Sequence, residues 1–203
     1  MQSDLELASL LASRLCHDVV GPVGAIQNGL ELIAEDRSMT DMAMDLIKKS
    51  AAQATAKLQY ARMAYGAAGG AEVLDPGEAG RLTDAMFAGE RADLSWAWAG
   101  EPAPLAEIKV AMLLATFALG AVPRGGTITV ERGGEGTISV QAAGSAIRTP
   151  PFAELVTEGG DVSDPRAVQA VLIERLAASA GWRIVMETQD EALTFRTVAR
   201  PEG

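Results

Sequence analysis

The chain has 203 residues, of which 48% are hydrophobic and 22% are charged, and its formal net charge is −10 at pH 7. This composition is typical of a globular protein, and the length allows one large domain or two small ones. An acidic chain repels phosphate backbones, which disfavours direct nucleic-acid binding. The longest apolar run, 110–122, is too short to span a membrane, so we expect no membrane partner.

The chain contains a single cysteine and a single histidine, Cys16 and His17. One cysteine excludes an internal disulfide and fits a cytoplasmic location. One cysteine with one histidine is too few for the usual structural zinc site. Adjacent side chains on a helix diverge by about 100°, so this pair does not suit a cysteine hydrolase.

The first section predicts two long helices that form a hairpin domain over 1–68. Ser3 or Asp4 can cap the first helix, which extends to about Asp36, and Ser38 marks the start of the second. Both helices carry apolar residues at helical spacing, and the glycine-rich stretch 66–70 ends the second. A hairpin this thin cannot bury both apolar stripes, so we predict a homodimer with a four-helix bundle.

The section 72–203 predicts a second domain of helices and strands. Helices are expected at 79–90, 105–122 and 165–180, the last opened by Asp164, and strands at 94–99, 127–132, 137–142, 183–188 and 192–199. Helices set apart from an antiparallel run of strands predict a two-layer α/β sandwich. The fold class of the whole chain is therefore α+β.

His17 lies opposite the apolar stripe of the first helix. At about 100° per residue, the ring points roughly 160–200° from the middle of that stripe. The stripe consists of Leu7, Leu11, Leu15, Val19, Pro22, Ile26, Leu30 and Ile33. The neighbours on the histidine side are mostly small or polar, namely Ser13, Arg14, Gly21, Gly24 and Asn28. A solvent-facing imidazole with little side chain around it suits reaction with another macromolecule.

Three further features favour a functional His17, although a lone histidine on a helix usually has no special role. Asp18 places a carboxylate beside the imidazole, where it can orient a ring N–H or accept its proton. Pro22 cannot donate to the carbonyl of Asp18, which predicts a local kink and a freed acceptor. Gly21 and Gly24 clear space for a partner to approach.

The run from His17 to Ile26 resembles the phospho-accepting box of sensor histidine kinases, with an acid after the histidine and Pro22 five residues on. The order of elements in 72–203 resembles the ATP-binding domain of these kinases. Three replacements depart from that pattern. Phe117 stands where the magnesium-binding asparagine is expected, Ala142 where the adenine-binding aspartate is expected, and Ala146 where the second glycine of the box is expected. The glycine-rich lid motif is not recognisable around 159–161 either.

This combination resembles the ChpT-type histidine phosphotransferases of bacterial signalling. The resemblance implies a phosphorelay intermediate that accepts a phosphoryl group on His17 from a receiver-domain aspartate of a hybrid histidine kinase. His17 then passes it to the aspartate of a response-regulator receiver. It also implies that this chain binds no cofactor and has no ATP-dependent kinase activity, with Mg²⁺ held by the partner receiver. Asp18 is expected to hold the imidazole ring.

The expected docking surface surrounds His17. It comprises Leu10, Ser13, Arg14, Val20, Gly21, Gly24 and Asn28. Arg14 is expected at the rim, facing an acidic receiver surface. Exposed apolar groups at Leu10 and Val20 favour docking, and packing against the chain's own second domain is the equal alternative. Two other functions remain open, a divergent ATP-dependent histidine kinase and a non-catalytic dimeric adaptor that captures receivers.

Overall fold

The computed structural model describes residues 3–66 and 73–200. Helices α1 (Asp4–Glu35) and α2 (Thr40–Ala64) form a hairpin, joined through the 3-10 turn Arg37–Met39. A capping box opens α1, because the Ser3 hydroxyl accepts from the Glu6 N–H and the Glu6 carboxylate accepts from the Ser3 N–H. The predicted helical hairpin is therefore confirmed.

The two helices approach closely at small residues. A Cβ added at Gly29 would lie 2.6 Å from Ile47 Cγ1 and 3.2 Å from the carbonyl oxygen of Ala43. Gly29 and Ala43 are both buried. The small residues at this crossing let the backbones pack without an intervening side chain.

In the described part of the second section there are four helices and seven strands, some of them short. Its elements are β1 (Val73–Leu74), α3 (Pro76–Phe87), β2 (Ala92–Trp96), β3 (Ala103–Pro104), α4 (Leu105–Ala118), β4 (Gly126–Arg132), β5 (Ile138–Ala143), α5 (Ala153–Glu158), α6 (Val168–Ser179), β6 (Trp182–Gln189) and β7 (Ala192–Ala199). Short 3-10 turns lie at Leu119–Ala121 and Gly134–Gly136. The predicted α+β class is confirmed.

The main sheet has the strand order β2-β4-β5-β7-β6. Alternate residues of these strands, such as Val130, Val140 and Phe195, are fully buried against the helices, whereas Glu131, Gln141 and Arg196 are exposed. One face of the sheet therefore carries the core, and α4 is buried along nearly its whole length. β2 pairs with β4 in parallel, so the prediction of a purely antiparallel run is wrong at that edge.

Several predicted boundaries shift for local reasons. Helix α3 begins at Pro76 because the Asp75 carboxylate caps it by accepting from the Gly77 N–H. Asp164 does not cap α6, since its carboxylate accepts from the Arg166 N–H and forms a turn that precedes the helix. Strand β2 starts and ends earlier than predicted, α4 ends at residue 118, and α5 was not predicted. The predicted domain limits at 68 and 72 lie outside the described residues and stay a prediction.

Buried contacts join the hairpin to the second section. Leu7 packs against Val168 and Val171 of α6. The Tyr60 hydroxyl lies 3.0 Å from the Met112 carbonyl oxygen and 2.8 Å from the Thr116 hydroxyl. The Leu7 contact brings the start of α6 beside the first half of α1, and the Tyr60 contacts join α2 to α4. Among the helices of the described residues, none is long and apolar enough to span a membrane.

Candidate active site

The His17 side chain is 91% exposed, as its position on α1 predicts. Its Nδ1 lies 3.8 Å from Asp18 Oδ1, which is beyond hydrogen-bond length. The carboxylate thus sits on the Nδ1 side of the ring and leaves Nε2 on the other. An imidazole as exposed as this one can act as a nucleophile toward a visiting group.

The carbonyl group of Asp18 is the acceptor that Pro22 leaves without its helical N–H. Helix α1 continues through Pro22, and the Lys57 ammonium of α2 donates to the Asp18 carbonyl oxygen at 2.9 Å. The predicted freed acceptor is confirmed, and a side chain of the second helix satisfies it. This hydrogen bond fixes the backbone of the residue that follows His17.

Arg14 lies one turn before Asp18, and its side chain is only 26% exposed. Its Nη1 donates to the carbonyl oxygen of Arg166 at 3.0 Å, and its Nε lies 3.5 Å from Asp18 Oδ2. The guanidinium therefore contacts the second section of the chain, while Arg14 still lines the cleft beside His17. Its expected role at the rim of a docking surface stays a prediction. Sequence reasoning had no means to see the Arg166 carbonyl, which is 152 residues away.

The other expected docking residues divide into two groups. Ser13, Gly21 and Asn28 are exposed, Val20 is 67% exposed, and added Cβ atoms at Gly21 and Gly24 would meet nothing within 4 Å. These residues leave the surface around His17 open. Leu10 is half-buried and packs against the cluster of Leu7, Val168 and Val171, which matches the packing alternative.

A cleft of about 360 Å³ lies beside His17, between α1 and the turn that precedes α6. From the second section it is lined by Asp164, Pro165 and Arg166. The Arg166 guanidinium donates three hydrogen bonds of 2.7–3.1 Å to the Asp164 carboxylate, which lowers the pKa of that carboxyl. Sequence reasoning missed Arg166 because nothing in its local pattern links it to a helix at the other end of the chain.

The residues that replace the kinase nucleotide motifs belong to apolar packing. Phe117 lies edge-to-face on Phe195 with ring centroids 5.8 Å apart, and Ala142 is fully buried in the core. A cavity of about 330 Å³ remains next to Phe117, bounded by the segment Pro150–Phe152. Among residues 3–66 and 73–200, no group of three or more His, Cys, Asp or Glu side chains is placed to hold a metal ion.

Comparison with known proteins agrees with this arrangement. Residues 76–192 match the family model of the histidine phosphotransferase C-terminal domain. The chain is 38% identical over 200 residues to the protein phosphotransferase ChpT of Brucella abortus (strain 2308), covering 95% of each protein. It also superposes on the 1.7 Å structure of a bacterial phosphotransferase, with a TM-score of 0.88, 36% identity and 98% of each chain covered.

A helical hairpin that exposes a histidine and is joined to a sheet domain thus fits the class of phosphotransfer proteins. The chain belongs to the histidine phosphotransferase family. Within this family it is similar to ChpT along nearly its whole length. The recognition made from the His17 box and the replaced nucleotide motifs is confirmed, and so is the general function of a histidine phosphotransferase consistent with a phosphorelay.

Proposed function

We propose that this chain is a phosphorelay intermediate in which His17 carries the phosphoryl group. A receiver domain of a hybrid histidine kinase, phosphorylated on aspartate, donates the group, and the receiver of a response regulator accepts it. The observation that carries this proposal is the 91% exposure of His17 on an open helix surface. Membership of the histidine phosphotransferase family supports the same chemistry.

The transfer is balanced as a displacement at phosphorus. The Nε2 lone pair of His17 forms the N–P bond while the P–O bond to the donor aspartate breaks, and the bonding electrons leave with the aspartate carboxylate. The proton on Nδ1 stays on the ring beside Asp18, whose carboxylate stabilises the charge that develops there. The reverse displacement, onto the aspartate of the second receiver, regenerates the imidazole. Mg²⁺ bound by the receiver screens the phosphoryl charge.

The docking surface in this proposal is the part of the α1 face that the structure leaves open. It comprises Ser13, Val20, Gly21, Gly24 and Asn28, with His17 at its centre. The glycines let the partner backbone approach the helix, and Val20 supplies an apolar contact. Phosphoryl transfer depends mainly on such positioning.

We also propose that two copies associate through their hairpins into a four-helix bundle. Leu30, Met42 and Leu58 are each more than half exposed on the hairpin of one chain. Leu30 and Val23 lie roughly 120–140° around α1 from His17, so a second copy can cover them and leave the histidine free. We place this dimer in the cytoplasm, because a chain with a single cysteine suits a reducing environment.

The dimer is tested by sedimentation over a range of protein concentrations. Leu30→Glu places a charge on the proposed interface and is expected to shift the chain from dimer to monomer without unfolding it. Val73→Glu is the matched control, because Val73 is 52% exposed but lies outside the hairpin. A wild-type chain that sediments as a monomer at all concentrations contradicts the dimer.

Phosphotransfer is tested by mixing the protein with a labelled, aspartyl-phosphorylated receiver in the presence of Mg²⁺. Label is expected on this chain as an acid-labile, base-stable adduct at His17, followed by its loss to a second receiver. His17→Gln should fold normally, because the side chain is exposed, and should accept no label. Wild-type protein that stays unlabelled with every phosphorylated receiver of its own cell overturns the proposal.

Two further arms distinguish the alternatives. Incubation with labelled ATP alone labels His17 only if the chain is a divergent kinase. We expect no labelling by ATP, because Phe117 and Ala142 are part of apolar packing where a kinase has nucleotide-binding residues. If the chain is an adaptor, His17→Gln supports the same signalling output as the wild type, whereas the relay loses that output and keeps receiver binding.

A further inference from the structure

The side chain of Arg14 bridges two groups that belong to different parts of the chain. Its Nη1 donates to the Arg166 carbonyl oxygen at 3.0 Å, and its Nε lies 3.5 Å from Asp18 Oδ2. The guanidinium is a rigid planar fork, so anchoring Nη1 on the Arg166 carbonyl also sets where Nε lies. The buried Nε has no hydrogen-bond partner among the described residues, so its contact with Asp18 is an ion pair and not a hydrogen bond. The side chain is mostly removed from solvent, so both contacts are made in a partly desolvated setting.

The Arg166 carbonyl is itself held in place. The Asp164 carboxylate accepts from the Arg166 N–H at 2.9 Å, and the Asp164 carbonyl accepts from the Ala167 N–H at 3.0 Å. Immediately afterwards α6 begins, and its Val168 is fully buried against α1. The turn therefore presents a fixed acceptor, the Arg166 carbonyl oxygen, to Arg14. The position of this oxygen depends on how α6 packs on the hairpin.

The chain of contacts continues to the histidine. Asp18 Oδ1 lies 3.8 Å from His17 Nδ1, while its other oxygen faces Arg14. A carboxylate beside Nδ1 favours the tautomer with its proton on that nitrogen. Other charged groups around this site include Lys57, which binds the Asp18 carbonyl, Glu90, which lines a pocket with Arg14 and Asp18, and the Asp164–Arg166 pair across the cleft.

We propose that Arg14 is a positioning residue through which the second section of the chain controls the histidine. Held by the Arg166 carbonyl, the guanidinium keeps the Asp18 carboxylate beside Nδ1, so that the neutral imidazole presents Nε2 as the nucleophile. This inference rests on the proposed phosphotransfer and assigns to the C-terminal domain a role in the chemistry that requires no nucleotide. It also gives Arg14 a function other than the docking expected from the sequence.

The proposal is tested first by nuclear magnetic resonance, because His17 is the only histidine and gives a single set of ring signals. With ¹⁵N-labelled histidine, at a pH where the imidazole is neutral, the nitrogen shifts report which ring atom carries the proton. Arg14→Met is expected to lower the Nδ1-protonated fraction, in the same direction as Asp18→Asn. Arg175→Met is the matched control, since Arg175 pairs with Asp4 across the same interface, 3.2 Å away, without contacting Asp18.

The second arm measures transfer from a phosphorylated receiver as a function of receiver concentration. Arg14→Met is expected to lower the maximal rate about tenfold, a size typical of partners that orient a functional histidine. The receiver concentration at half-maximal rate should not change. Arg14→Lys should recover part of the rate, because the ammonium can reach one of the two partners.

Three results overturn the proposal. An unchanged tautomer ratio in Arg14→Met removes the link to the imidazole. A raised half-saturating receiver concentration with an unchanged maximal rate makes Arg14 a docking residue instead. Equal losses in Arg14→Met and Arg175→Met make it an ordinary part of the interface. Failure of the wild type to transfer would contradict the proposed function alone, because the tautomer measurement needs no receiver.

Discussion

At the scale of single residues, the site combines an exposed reactive ring with anchored neighbours. The His17 side chain is 91% exposed, whereas the Asp18 carboxylate faces Arg14 and the Asp18 carbonyl accepts from Lys57. Ordering long side chains costs conformational entropy. Because these contacts already order the groups around the ring, that entropy is not lost when a partner binds. The ring itself stays accessible to a partner protein that approaches this face of α1.

The open space at Gly21 can be tested by filling it. Gly21→Leu should leave the free energy of unfolding unchanged or slightly raised, because an added Cβ meets nothing within 4 Å and glycine is a poor helix residue. Binding to a receiver, measured by calorimetry, should weaken by about tenfold or more, since the new side chain occupies the approach surface. Ala34→Leu, at an exposed position far along α1, is the control and should bind normally.

At the scale of elements, α1 depends on α2 at two points. Lys57 supplies the hydrogen bond that Pro22 removes, and Gly29 lets the helices meet near Ile47. The first contact compensates a break in the helical ladder, and the second avoids a clash. Both explain how a helix with an interior proline and several glycines remains continuous from Asp4 to Glu35.

A double-mutant cycle tests the first contact. Lys57→Met should lower the free energy of unfolding by about 1–3 kcal/mol, because it leaves the Asp18 carbonyl without a partner. In a Pro22→Ala background the new N–H can donate to that carbonyl, so the same Lys57 change should cost clearly less. Urea denaturation of the four proteins measures the coupling. Equal costs in both backgrounds would show that the Lys57 contact is independent of the proline.

The helix crossing is tested by a pair of glycine substitutions. Gly29→Ala should destabilise the fold by about 1–3 kcal/mol, because the new Cβ would lie 2.6 Å from Ile47 Cγ1. Gly24→Ala should be neutral or stabilise by up to about 1 kcal/mol, since nothing lies within 4 Å of its Cβ and alanine favours the helix. Thermal and urea unfolding distinguish the two. A stabilising Gly29→Ala would contradict the close approach.

At the scale of the whole molecule, two tyrosines join the hairpin to the second section. The Tyr60 hydroxyl donates to the Met112 carbonyl oxygen and is hydrogen-bonded to the Thr116 hydroxyl, and its ring lies edge-on to Tyr65 with centroids 6.3 Å apart. Burial raises the pKa of the Tyr65 hydroxyl to about 12 and that of Tyr60 well above its usual value. The folded protein therefore binds these protons more tightly than the unfolded chain.

This difference predicts a loss of stability in base. Between pH 10, where an unfolded tyrosine ionises, and about pH 12, where Tyr65 ionises in the fold, the unfolded chain carries fewer protons than the native one. The contribution of Tyr65 is present below pH 10 and disappears as the pH rises through that window. Urea titrations at pH 9, 10 and 11 should show a smaller decline in Tyr65→Phe than in the wild type. Parallel declines would contradict the raised pKa.

The local pattern was sufficient for the hairpin, the exposed histidine, the freed Asp18 carbonyl and most elements of the sheet. Helical spacing, caps and the chemistry of proline are properties of neighbouring residues, so a single sequence displays them. The pattern did not give the parallel pairing of β2 with β4, because that pairing joins strands separated by α4. The short helix α5 also escaped it.

The direction of the Arg14 side chain and the groups that contact Asp18 depend on packing between distant segments of the chain. The sequence predicts Arg14 as a cation at the rim of the docking surface. In the fold, the packing of α6 brings the Arg166 carbonyl to Arg14, although the two residues are 152 positions apart in the chain. Lys57 likewise finds the Asp18 carbonyl only because α2 folds back on α1. Contacts between distant segments depend on the packed geometry of the whole chain, whereas the identity and exposure of His17 follow from one helix.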